Sequence, residues 1–282
     1  MSGADSLALA SGKGHRDENF PVASFVLRRD LRAPVMAFYR FARAADDVAD
    51  DPASAPEEKL RLLAQMRATL GGRSEADGPA FALREALADR QVPLIHAHDL
   101  LTAFERDVTK LRTADWDDLM DYCRYSAMPV GRFMLDLHGE ARDLWPLSDA
   151  LCAALQIINH LQDCAKDRRN LDRVYLPLDS LARHGTSVEA LDAPAASPAL
   201  RAAIGELRKD AALLLDKAAA FPTAIRDRRL GMEVAMIDAL ARKLLDLLQR
   251  RDPLSQNVHL GKLAAARIGL GAALRRLVVG AR

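Results

Sequence analysis

Apolar residues recur along the chain at intervals of three and four rather than two, the spacing that lines one face of an α-helix. On this pattern helices are predicted over 31–50, 57–71, 79–90, 94–112, 116–142, 148–168, 199–220, 224–250 and 258–279, and nothing reads as a strand. The breaks coincide with turn chemistry at Asp51-Pro52, Gly71-Gly72, Gly78-Pro79, Trp145-Pro146, Pro194 to Pro198, Pro222 and Pro253. Inside the long 116–142 pattern, Pro129 should break or kink the helix. The short Ala/Pro/Ser stretch 192–198 is too brief to divide the chain. The expectation is therefore one all-α domain over 1–282, with 1–17 as a tail and 169–198 as a long connection.

Composition narrows the classes without choosing among them. With 50% apolar and 28% charged residues in 282, the chain can bury a sizeable core. Forty Lys and Arg against 39 Asp and Glu leave a net charge of +1, so no global field attracts nucleic acid, and no local basic patch suited to it stands out. Cys123, Cys152 and Cys164 lack CxxC spacing and fit buried thiols in a cytoplasmic protein. No window approaches the ~18 apolar residues of a membrane span, and residues 1–17 do not form a signal peptide.

The chemistry concentrates in two acidic rows. In FARAADDVADD (41–51), Asp46 and Asp50 share one helix face, and Asp47 and Asp51 form a second pair rotated by one position. In IINHLQDCAKD (157–167), Asn159, Asp163 and Asp167 follow at i, i+4 and i+8. Like charges four apart weaken a helix, and both helices are otherwise apolar, so a cation should compensate them. Facing each other, the rows would make an all-oxygen cage for Mg²⁺, which commonly shares its site with substrate phosphates. Arg43 and Arg173 flank the rows and suit diphosphate, whose oxygens match the guanidinium fork. By contrast, Asp115, Asp117 and Asp118 after Thr113 read as a helix start.

Taken together, DDVAD (46–50), NHLQDCAKD (159–167), YCRYSAMPVG (122–131) and RVYLP (173–177) resemble the squalene/phytoene synthase family, the head-to-head prenyl synthases, over about residues 18–265. The resemblance implies an all-α isoprenoid-synthase bundle around a central apolar cavity. It places Asp46, Asp50, Asn159, Asp163 and Asp167 on Mg²⁺, and Arg43 and Arg173 on diphosphate. ENFPVAS (18–24), which ends at Ser24 beside Phe25, and LQD (161–163) look most like the hydroxysqualene synthase branch. Condensing members usually carry Arg where Gln162 stands, so the substitution suits a site handling one diphosphate instead of two. RRNLD (168–172) looks one residue longer than the family spacing, which bears on the role of Arg173.

The reaction so implied converts presqualene diphosphate and water to hydroxysqualene and diphosphate, in squalene and hopanoid biosynthesis, with Mg²⁺ and no NADPH. Tyr39 and Tyr122 are the first choices for the catalytic wall, ahead of Phe20, Phe25, Phe41, Tyr125 and Phe133; Gly131 offers close approach of substrate to backbone. Gly269-Leu-Gly271 lies in a helical pattern and is no dinucleotide fingerprint. For 263–282, with its apolar stripe and arginines, helix packing is the favoured reading and transient contact with a membrane surface or with pathway enzymes the minor one. The rivals are condensation of two prenyl diphosphates and a silent helical partner subunit. A di-iron carboxylate bundle is disfavoured, because no Glu-x-x-His pair accompanies His160.

Overall fold

The computed structural model describes residues 28–279 and makes them helical almost throughout. In chain order the helices are α1 (Arg29–Asp50), α2 (Pro56–Leu70), α3 (Gly78–Leu87), α4 (Ile95–Thr109), α5 (Trp116–Ser126), α6 (Met128–Leu137), α7 (Trp145–Leu171), α8 (Leu178–Arg183), α9 (Pro198–Lys217), α10 (Phe221–Ala224), α11 (Arg228–Arg250) and α12 (Lys262–Val279). Short 3-10 turns lie at Arg142–Leu144 and Val188–Asp192. Among the described residues the extended pairing is limited to an isolated bridge between Arg112 and Val174.

Helix ends follow local chemistry. Asp77, Asp115, Ser197 and Asp227 cap α3, α5, α9 and α11 by accepting hydrogen bonds from the backbone N–H of Ala80, Asp118, Leu200 and Leu230. Asp115 to Asp118 are thus a helix start, as their sequence suggested. The predicted 116–142 helix is two helices, separated at Ala127, because Pro129 occupies the first turn of α6 and cannot donate back into α5. Pro34 sits inside α1 and deprives the Asp30 carbonyl of its helical partner; Arg90 Nη2 supplies the missing donor at 3.0 Å. The predicted connection 169–198 holds α8 and a 3-10 turn, and α7 extends three residues beyond its expected end at 168.

Helix α7 is the axis of the fold, packed by α5, α6, α9 and α11, while α1 packs on α2, α3 and α4. A helix surrounded in this way must be apolar on most sides, and Ala153, Ala154, Ile157, Ile158 and Leu161 are fully buried. Phe41, Ala45 and Ala49 do the same for α1. Each fully buried Leu or Ile contributes roughly 1.5–3 kcal/mol. Because α4, α5 and α6 link α1 to α7, the two acidic helices belong to one core.

Candidate active site

On α1 the side chains Tyr39, Arg43, Asp46, Asp47 and Asp50 are half-buried, while Phe41, Ala45 and Ala49 face the core. Arg43 bridges the acids one turn on, reaching Asp46 at 3.1 Å and Asp47 at 2.8 Å. Its guanidinium therefore offsets part of the first row's charge. Burial, with Asp50 adding and Arg43 opposing, still pushes the Asp46 carboxyl up to about 7. On α7, Asn159, Asp163 and Asp167 are half-buried along one face. Asp167 is also pushed up to about 7, by burial first and by Asp163 next, with Asp50 on α1 contributing as well.

The two rows thus come near enough for Asp50 and Asp167 to repel one another. They do not close into the cage expected from sequence: among the described residues, no three His, Cys, Asp or Glu side chains converge to hold a metal ion. Carboxylates offered by two helices, two of which resist ionising, are nevertheless a donor set whose chemistry fits Mg²⁺. That ion retains waters and takes one or two carboxylates from a protein together with substrate phosphates.

Arg173 joins the first row to the core. It is buried; its Nη1 pairs with Asp50 Oδ1 at 2.5 Å, its Nη2 donates to the Ala49 carbonyl at 3.0 Å, and its Nε donates to the Asp107 carbonyl at 2.9 Å. Burial works against the charge, but Asp107, Tyr175 and Asp50 outweigh it and raise the guanidinium pKa. The longer segment 168–172 is absorbed at the end of α7. Asp172 turns left-handed (φ 52°), and the Arg173 N–H returns to the Asp167 carbonyl at 3.2 Å. The Asp172 carboxylate is clasped by Arg112 and Arg168. Arg173 thus reaches the site, as a partner of Asp50.

Behind it lies a polar hub that the sequence did not reveal. Asp107, buried on α4, accepts hydrogen bonds from the hydroxyls of Tyr122 and Tyr175, each at 2.8 Å. Burial pushes Asp107 up to about 6, with Arg173 and both tyrosines opposing the rise, and the two phenols titrate above their ordinary range. His160 stacks on Tyr175 with ring centroids 3.7 Å apart, and burial, then Arg173, lowers it to about 3. The signal for Asp107 was its place in the apolar stripe Ala97, Leu100, Leu101, Ala103, where an acid must find partners.

Other expectations resolve differently. Gln162 is buried, and its amide donates to the Val258 carbonyl and to His259 Nδ1, both at 2.9 Å, so it ties α7 to the loop before α12. Phe133 stacks on Phe38 at 3.9 Å and Phe41 is fully buried, so both are core. Gly131 serves packing rather than substrate, since a β-carbon there would strike Ser148 Oγ and lie 2.6 Å from Cys152 Sγ on α7. Gly269 and Gly271 lie inside α12. Ser24, Phe20, Phe25, the tail 1–17 and Arg282 lie outside the described residues, as does the Arg275 side chain.

Comparison with known proteins agrees with this architecture. A family model described as squalene/phytoene synthase matches residues 14–264. A hydroxysqualene synthase of Rhodopseudomonas palustris is 51% identical, covering 96% of this chain and 92% of its own, and one of Zymomonas mobilis is 48% identical, covering 97% and 93%. Among solved structures, a squalene synthase, HpnC, from Alicyclobacillus acidocaldarius is 32% identical with a TM-score of 0.72, covering 81% of this chain and 87% of that one. No helix among the described residues is long and apolar enough to cross a membrane. With its helical bundle, its two acid rows and these relatives, the chain belongs to the squalene/phytoene synthase family.

Proposed function

We propose that this enzyme converts presqualene diphosphate and water to hydroxysqualene and diphosphate, using Mg²⁺ held between the rows by Asp46 and Asp50 on one side and Asn159, Asp163 and Asp167 on the other. The observation that carries the reading is the burial of like charges on α1 and α7, only partly offset by Arg43, Lys166 and Arg173, which keeps Asp46 and Asp167 reluctant to ionise. When bound, the metal would neutralise the departing diphosphate as a Lewis acid. Arg43, between Asp46 and Asp47, offers its guanidinium to diphosphate oxygens. Arg173 fixes Asp50 and thereby the end of the first row. Tyr39, half-buried one turn before Arg43 on α1, would offer the aromatic face that a carbocation needs.

Hydroxysqualene synthase is also the name of the near-full-length relatives, which supports the second-step reading, as does the anchoring of Gln162 to the 257–260 loop. A side chain so engaged adds no cation for a second diphosphate. Condensation of two farnesyl diphosphates is the alternative. Pure protein with Mg²⁺ and presqualene diphosphate, without NADPH, should yield hydroxysqualene by gas chromatography and mass spectrometry. Consumption of farnesyl diphosphate to presqualene diphosphate would instead establish the condensing reading. The metal has a test independent of turnover: Mg²⁺ with inorganic diphosphate should raise the melting temperature more than either alone, and an unchanged melt would favour a silent scaffold.

A further inference from the structure

Helix α12 is apolar on two sides, and the fold uses one of them. Against α11 it presents Gly269, where a β-carbon would lie 3.1 Å from Met236 Cε, then buried Ala272, then Arg276, whose guanidinium donates to the Pro222 and Ile225 carbonyls at 2.8 and 3.4 Å. At 100° per residue, Leu263, Arg267, Leu270 and Leu274 fall on the opposite side. The three leucines are 84%, 62% and 54% exposed. An ordinary surface helix is polar there. Of the eight large hydrophobic residues exposed among the described residues, these three share one line on one helix, about 16 Å long. Scattered exposure needs no explanation, whereas an aligned stripe does.

Charge identifies what covers the stripe. Residues 261–282 contain five Lys and Arg and no Asp or Glu. Exposed Arg267 borders the leucines and exposed Lys262 opens the helix just before Leu263, exposed Arg228 and Arg229 begin α11 at the turn where Arg276 docks, and exposed Arg250 and Arg251 lie at the other end of that helix. The exposed acid near the end of α11, Asp246, is paired with Lys243 at 3.5 Å. A second copy seated on this face would bring two cationic rims together, whereas an anionic bilayer satisfies the leucines and the cations at once.

We propose that the outer face of α12 seats the enzyme on an anionic lipid surface, with Leu263, Leu270 and Leu274 entering the acyl boundary and Lys262 and Arg267 remaining among the headgroups. This surface is distinct from the acid rows and holds whichever prenyl reaction the enzyme performs, so it stands or falls independently of the proposed function.

The test is cosedimentation of the full chain with mixed phosphatidylglycerol–phosphatidylcholine vesicles, against pure phosphatidylcholine vesicles. The native chain should favour the anionic vesicles, and salt should weaken the preference. A Leu263→Gln, Leu270→Gln, Leu274→Gln variant should lose at least about tenfold in partitioning. Its melting temperature and its turnover of detergent-dispersed substrate should be unchanged, because these side chains already face solvent. A Lys262→Gln, Arg267→Gln variant should lose the anionic preference. Failure of the native chain to bind, or equal binding by the triple-leucine variant, would overturn the proposal. So would a native dimer that the triple substitution converts to monomer, which would assign the face to a second copy.

Discussion

Asp46 and Asp167 hold their protons more tightly in the fold than in the unfolded chain, and this gives the site a pH signature. A carboxyl raised in this way contributes stability that is fully present below the ordinary carboxylate range and lost as pH rises through about 7. Buried His160 acts in the opposite sense but mainly below the ordinary histidine range. Between about pH 6.5 and pH 8, the melting temperature of magnesium-free protein should therefore fall, and Asp167→Asn should flatten that slope. Over the same interval Mg²⁺ affinity should rise, with proton release measurable by calorimetry. Turnover is expected to fall at least about a hundredfold in Asp46→Asn or Asp163→Asn while circular dichroism stays native; full activity in either would contradict the metal assignment. The acid rows were legible in sequence because a helix that repeats carboxylates on an otherwise apolar face announces an unmet need. Asp107 was not, since a lone acid in an apolar stripe reveals its partners Tyr122 and Tyr175 only once three elements meet. Replacing it with Ala, which leaves two buried hydroxyls without their acceptor, should cost roughly 2–3 kcal/mol in denaturant unfolding.

At the scale of elements, boundaries were read best where the chain carries proline or a capping acid. Pro129 marked the division between α5 and α6, while the three-residue extension of α7 escaped notice because Asp172 adopts a left-handed turn usually given to glycine. Gly131 marks how closely α6 approaches α7. A Gly131→Ala protein should lose roughly 1–3 kcal/mol, as Ser148 and Cys152 on α7 are forced aside. Gln162 taught a different lesson. Its departure from the usual arginine was visible in sequence, but its bonds to Val258 and His259 span almost one hundred residues and no periodicity predicts them.

For the molecule as a whole, the helical class and the two acidic rows on α1 and α7 were legible, but the hub through which Arg173 braces the first row was not. Arg173 contacts Ala49 and Asp50, 124 and 123 residues earlier, and Asp107, 66 residues earlier. Contacts of such separation close large loops and form only after local helix pairs are in place. The end of the bundle that Arg173 braces should thus be the last part to consolidate in folding and the first to open. Arg173→Met, expected to cost roughly 3 kcal/mol, should accelerate unfolding in stopped-flow measurements and leave the refolding rate almost unchanged.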